Sequence, residues 1–330
     1  MKTKKQSSFH LICITLIGIF ILVSILSLLV GGGRLSIEQV FSGLLLKEEA
    51  FRVIIYSIRL PRLLAGVLAG VGLSVSGVLI QSITSNDLAS PNIIGVNSGA
   101  GFACIISMAL FPAAFIFAPV AAFLGAFLTG TVIILVSQKT GGDKSTLILT
   151  GIAITTLLNA GISFISLLDT DLLSAYSHFS VGGLSSAGLC ELVIPAVLIV
   201  AALIASLVLS RRISVLTLGD ESAQSLGVNA RALRAVCMAL ACVSAASVVS
   251  FAGLLGFVGL IVPHVAKKIV GPSVKKLVVA SAIIGAITVV FADLVGRLLL
   301  SPSEIPVGII MALVGAPFFL ALVIRRKKYA

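Results

Sequence analysis

The sequence predicts an all-α membrane protein of ten spans with both termini on the cytoplasmic side. Three observations lead there. Of 330 residues, 58% are hydrophobic and only 11% charged, whereas soluble domains carry about 25% charged residues. Several apolar runs exceed the roughly 20 residues needed to cross hydrocarbon. Lys and Arg fall unevenly between alternate connecting segments, as they do in multispanning proteins. Lipid offers no partner for open backbone groups, so every span is expected to be a helix.

The opening MKTKKQSSFH leads into an apolar run at 11–30. That run is long for the apolar region of a signal peptide and no A-x-A site follows, so it reads as an uncleaved first span. The next spans are expected at 62–82, 92–110, 113–136, 147–167, 192–210 and 231–250. The last three are expected at 253–270, which is Gly-rich and carries Pro263, at 277–297 and at 306–324. Between the first two lies an extracytoplasmic loop, 31–61, in which Ser36 with Glu38 and Gln39 can start a short surface helix. The other long outside stretch, 168–190, holds Asp169, Asp171, His178 and the pair Gly182-Gly183. It is apolar enough to dip back toward the membrane. With the N-terminus inside, seventeen of the 23 Lys and Arg lie on inside segments, and the six outside are Arg34, Lys47, Arg52, Arg59, Arg62 and Arg297. In the second span Gly66, Gly70 and Ser74 recur every four positions, with Gly77 close behind. Small residues at that spacing let helix backbones approach closely, which puts this span at the centre of a dense bundle.

Composition also limits function. The net charge of +11 fits basic cytoplasmic loops, and nucleic acid is not an expected partner; membrane lipid is. Cys13, Cys104, Cys190, Cys237 and Cys242 contain no C-x-x-C pair, and four lie within apolar runs, where cysteine behaves as a small hydrophobe. His10, His178 and His264 lie in separate regions without ligand spacing. Neither a metal site, a cofactor nor a catalytic residue is expected, which argues against an intramembrane enzyme. The stretch GGDKST at 141–146 fails as a phosphate loop, because Asp143 stands where Gly must precede the Lys. If ATP drives this protein, another chain binds it.

A few polar groups stand out. Asp293 is the only acidic residue deep in a span. Such a carboxylate is either functional or bonded internally to a neighbouring helix. The scarcity of similar groups argues against an ion-coupled secondary transporter. Arg59 and Arg62 flank Leu60-Pro61 ahead of the second span, and Arg297 ends the ninth. They either snorkel to headgroups or dock an acidic partner, since Arg favours bidentate carboxylate contacts. The segment LTLGDESAQSLGV at 216–228 faces the cytoplasm between the sixth and seventh spans. Asp220 to Ser225 can form a helical turn or two, with Gly219 and Gly227 as breakers and acidic residues at the positive end of the helix dipole. Such a helix either docks into a partner or merely connects.

Four segments together resemble one family: RLPRLLAGVLAGVGLSVSGVLIQ at 59–81 with SNDLASPNIIGVNSGAG at 85–101, LGDESAQSLGV at 218–228, GFVGLIVPHVAKK at 256–268, and EIPVGIIMALVGAPFF at 304–319. They are similar to the permease subunits of ABC importers for iron–siderophore complexes, haem and vitamin B12. The resemblance covers nearly the whole chain after the first span. It implies a single transmembrane permease domain over 1–330 with the type II importer fold, ten helices and cytoplasmic termini. It implies a second permease subunit, identical or paralogous, two cytoplasmic ATPase subunits and an extracytoplasmic substrate-binding protein, a lipoprotein in Gram-positive bacteria. The cargo it implies is an iron(III)–siderophore, with haem or cobalamin as the alternative, carried across the cell membrane by alternating access.

The same resemblance assigns residues. Within the cytoplasmic segment 211–230, Leu218, Gly219, Asp220, Glu221, Ala223, Leu226 and Gly227 would couple the ATPases to the pathway. Arg59, Arg62 and Arg297 would dock the binding protein's glutamates. Asn86 and Leu88 would form an inner gate, with Lys144 and Ser145 as a second layer. The family usually shows Asn-Pro-Leu at the gate; this chain has Asn86-Asp87-Leu88.

Overall fold

Helices are the only regular elements among the described residues. The computed structural model describes residues 2–31, 36–45, 49–92, 94–111, 117–139, 144–300 and 303–327, without side chains at 2–8, 37, 41, 44, 137, 138, 144, 145, 220, 323 and 325–327. The chain runs through α1 (Lys2–Leu29), α2 (Ile37–Leu44), α3 (Glu49–Ile54), a π-helical turn (Ile55–Arg59) and α4 (Leu60–Thr84). It continues through α5 (Val96–Leu110), α6 (Ala118–Lys139), α7 (Lys144–Leu168), α8 (Thr170–Val181) and α9 (Leu189–Leu216). The last five are α10 (Asp220–Ser225), α11 (Ala230–Ala252), α12 (Val258–Val270), α13 (Val274–Leu299) and α14 (Val307–Lys327).

Seven helical stretches among the described residues are long and apolar enough to cross a membrane: Phe9–Leu29, Glu49–Thr84, Ala118–Val136, Thr146–Leu168, Leu189–Leu216, Ala230–Ala252 and Val274–Leu299. Val96–Leu110 and Val307–Leu322 are shorter apolar helices. The run expected at 253–270 is helical only from Val258. Gly253 and Phe257 adopt positive φ of 67° and 63°, which α-helical geometry forbids. The 13 residues that remain are about 20 Å long, short of the roughly 30 Å hydrocarbon core.

The second long helix starts earlier than its hydropathy suggests. Residues 49–84 are continuously helical, so much of the expected loop 31–61 is ordered helix. Pro61 lacks the N–H that would continue an α-helix. Just upstream the chain widens into the π turn, where the Leu60 amide donates to the Ile55 carbonyl. The break is absorbed as a local bulge of the kind often found at functional positions. Helix α2 begins as its sequence suggests. The Gln39 amide donates to Ser36 Oγ at 3.2 Å and the Ser36 amide to Gln39 Oε1 at 2.9 Å, a reciprocal capping box.

α4 is the axis of the bundle, and its small residues explain why. It packs antiparallel to α13, with Arg62 against Asp293, Gly66 against Val290 and Gly70 against Gly285. A Cβ at Gly70 would collide with the Gly285 carbonyl, and one at Gly285 with Ser74 Oγ. On another face α4 meets α11, where Ser244 Oγ donates to the Gly72 carbonyl at 2.9 Å and Ser76 Oγ to the Ala241 carbonyl at 2.8 Å. On a third, a Cβ at Gly77 would overlap Gly259 of α12. Four-residue spacing of small side chains thus permits backbone contact on several sides at once. By contrast, α1 runs alongside α13 in the same direction, with Phe9 near Lys276 (5.0 Å from ring centroid to Nζ) and Ser27 near Arg297.

These directions sort the connections. The loop after α4, the segment around α10 and the α12–α13 turn lie at one end. At the other end, Asp169 caps α8 by accepting from the Asp171 and Leu172 amides at 2.9 and 3.1 Å. There the Gly183 amide donates to the Ala252 carbonyl, the Leu254 amide to that of Phe179 and the Gly308 amide to that of Gly182. This backbone stitch joins α8 to the end of α11 and the start of α14.

Candidate functional site

Arg59, Arg62 and Arg297, separated by up to 238 positions in the chain, converge on one buried cluster. Arg62 Nε lies 3.0 Å from both carboxylate oxygens of Asp293, and its Nη2 donates to Oδ1 at 2.8 Å. Arg62 Nη1 reaches Glu304 Oε2 at 2.6 Å. Arg297 Nε stands 3.1 Å from Asp293 Oδ2 as an ion pair outside hydrogen-bond geometry. Its Nη1 donates to the Val30 carbonyl at 2.6 Å and the Ser27 carbonyl at 3.2 Å, and its Nη2 donates to Ser27 Oγ at 2.7 Å. Arg59, carried inward by the π turn, donates to the Leu28 carbonyl. Two guanidinium groups therefore close the C-terminal end of α1, where unpaired carbonyls and the negative end of the helix dipole favour cations.

Both Arg59 and Arg297 are only 6% exposed. Of the two readings open for Asp293, the structure shows the internal bond, to Arg62 of the neighbouring helix. Of the three arginines, Arg62 alone bridges two carboxylates among the described residues, buried Asp293 and the more accessible Glu304. The arginines stand out in the sequence; Glu304 and the α1 carbonyls do not, because their only local signals are a carboxylate beside Ile305-Pro306 and the end of an apolar run.

At the opposite end, the loop after α4 starts with Ser85 in the left-handed region, φ 49°. Asn86 makes the turn: its amide donates to the Gln81 carbonyl at 3.3 Å, and its Oδ1 accepts from the Leu88 amide at 3.0 Å. Asp87 pairs through Oδ1 with Lys267 Nζ of α12 at 2.7 Å. Lys144 and Ser145 open α7; their side chains lie outside the described residues.

α10 occupies the same end. Gly219 enters it at φ 108°, ψ 162°, a region open essentially only to Gly. Gly227 leaves it at φ 74°. The Gly227 amide donates to the Gln224 carbonyl and the Val228 amide to the Ala223 carbonyl, the paired bonds of a Schellman cap. Ala223 is fully buried against the bundle, whereas Leu218 and Leu226 are 68% and 63% exposed. Glu221 is exposed, and the Asp220 side chain lies outside the described residues. The helix is thus anchored by its middle and shows a leucine beyond each end.

Comparison with known proteins places the chain. The Fe(3+)-citrate import system permease protein YfmE of Bacillus subtilis (strain 168) is 35% identical over 323 residues, covering 97% of this chain and 96% of that protein. The hemin transport system permease protein HmuU of Yersinia pestis is 34% identical over 278 residues, covering 82% and 83%. A solved structure described as an inward-facing conformation of a metal-chelate type ABC transporter superposes with a TM-score of 0.86 at 30% identity, covering 95% of this chain and 99% of that one. The model of the FecCD transport family matches residues 19–325, and the chain belongs to that family.

Proposed function

We propose that this chain is the membrane-embedded permease subunit of an ATP-driven importer that moves an iron(III)–siderophore inward by alternating access. It would have ten spans and cytoplasmic termini. The observation that carries this reading is α10, a glycine-bracketed helix with two exposed leucines at one end of the bundle, in a sequence that has no nucleotide motif of its own. Apolar side chains held out from a rigid anchor suit a groove on a partner, and that partner is a pair of cytoplasmic ATPase subunits. Leu218, Gly219, Asp220, Glu221, Ala223, Leu226 and Gly227 form the contact, and the Asn86–Leu88 turn with the start of α7 at Lys144 and Ser145 forms the inner gate.

A second permease subunit is supported by α7. Thr156, Asn159 and Ser163 are exposed along this apolar helix. An unpaired amide facing hydrocarbon costs several kcal/mol, so that face suits a partner subunit or a water-filled pathway. At the outer end, acidic groups of a binding protein would meet the arginine cluster along its accessible edge at Arg62 and Glu304, with Arg59 and Arg297 as the frame behind it.

Leu218→Asp with Leu226→Asp is expected to abolish co-purification of the ATPase while leaving the purified permease's melting temperature unchanged, because neither leucine is buried. Retained co-purification would overturn the assignment. Gly227→Val has open space around its Cβ, but forces a β-branched residue to positive φ, at about 1–2 kcal/mol. Uptake per ATP hydrolysed should fall severalfold, with Gly227→Asn milder. Cargo is tested by ATP-dependent uptake of a labelled ferric siderophore into proteoliposomes holding the full complex; the relative HmuU makes haem the competing substrate to run alongside it.

A further inference from the structure

We infer that Lys267, acting through Asp87, positions the loop 85–92 as a salt-bridge latch between that loop and α12. This rests on the reading of the loop as an inner gate. The loop is laid along α12 and touches it at three levels. Near the helix start, Asn92 Nδ2 lies 3.5 Å from where a Cβ on Gly256 would stand, and Pro91 Cδ lies 3.0 Å from the same point on Gly259. Near the helix end, Asp87 meets Lys267 at 2.7 Å. The final turn of α4 joins in, since Gln81 Nε2 lies 3.4 Å from the carbonyls of Gly259 and Leu260.

The contacts differ in kind. Gly259 and Pro91 are buried and fixed by shape. The Asp87 and Lys267 side chains are 41% and 42% exposed. A hydrated ion pair biases an equilibrium by no more than about fivefold. That is too little to hold the fold, but enough to favour one of two loop positions, and small enough to break in every cycle. The local geometry limits the entropy lost in forming it. The Asn86 turn fixes the backbone on both sides of Asp87, so the carboxylate is presented to α12 before the pair closes. The helix it grips is bounded by left-handed residues, Phe257 before and Gly271 (φ 81°) after. α12 is therefore a short rod between two bends, able to tilt with the loop attached or detached.

The test uses the full permease–ATPase complex carrying Leu88→Cys, with the rate of reaction of that cysteine with a charged maleimide read by mass spectrometry. Lys267→Glu is expected to raise the rate up to about fivefold, and the exchanged pair Asp87→Lys with Lys267→Glu to restore it. Asp87→Asn, nearly isosteric, should give the same rise and serves if Lys267→Glu fails to fold. Rates unchanged in Asp87→Asn, or no restoration in the exchanged pair, would overturn the latch and leave the importer reading standing. A Leu88→Cys rate identical with and without ATP in the otherwise unaltered complex would instead overturn the gate reading, and the latch's role with it.

Discussion

Asp293→Ala is expected to destabilise the folded permease by about 3–5 kcal/mol, the cost of stranding a buried charge whose partner is removed. The carboxylate holds Arg62 and Arg297 together, and all three side chains are at most 11% exposed. Without it two guanidinium groups remain in a site from which water is largely excluded. Arg297 also caps α1 through Ser27 and Val30, so loosening it frees the end of the first helix. Thermal unfolding in detergent, followed by gel filtration, reads the effect. Arg62→Met combined with Asp293→Leu should be less harmful than Asp293→Ala alone, because one guanidinium, that of Arg297, is then left without its carboxylate instead of two, and apolar groups of similar size fill the space. If Asp293→Ala proves as stable as the parent, the cluster is not the fastening described above.

Gly70→Leu is expected to prevent assembly of the bundle altogether. Overpacking a close-packed interior usually costs 1–3 kcal/mol, occasionally more, and side-chain movement absorbs part of it. At Gly70 the obstacle is the Gly285 backbone, which cannot rotate away, so the substitution must push α4 and α13 apart along their whole contact. Gly70→Ala should already be destabilising, even though alanine favours a helix by about 1 kcal/mol over glycine. Gly18→Leu on exposed α1 meets nothing within 4 Å and is the control, expected to be neutral. Yield of monodisperse protein ranks the three. A Gly70→Leu variant that folds normally would contradict the antiparallel register of α4 and α13.

Some features were legible because their physics is local. A membrane crossing needs an uninterrupted apolar run, so most of the long helices stand where hydropathy puts them. The four-residue recurrence of Gly66, Gly70 and Ser74 marked α4 as central before any neighbour was known. Ser36 with Gln39 announced a cap, and Gly219 with Gly227 bracketed α10, because only a few residue types tolerate those backbone angles. Other features depended on groups distant in the chain. Nothing near Asp293 says that its partner is Arg62, 231 positions away, or that Arg59 and Arg297 turn inward onto the end of α1. Nothing near Asp87 names Lys267, 180 positions on. The second span was expected to begin only after Pro61, yet a π turn lets the helix pass through it. The run from Gly253 looked like a span, yet its first residues bend. In each case the sequence alone determined what a segment can be. Only the tertiary structure decided which partner it has, because charge pairing and helix register are satisfied between segments and leave no periodic trace within one.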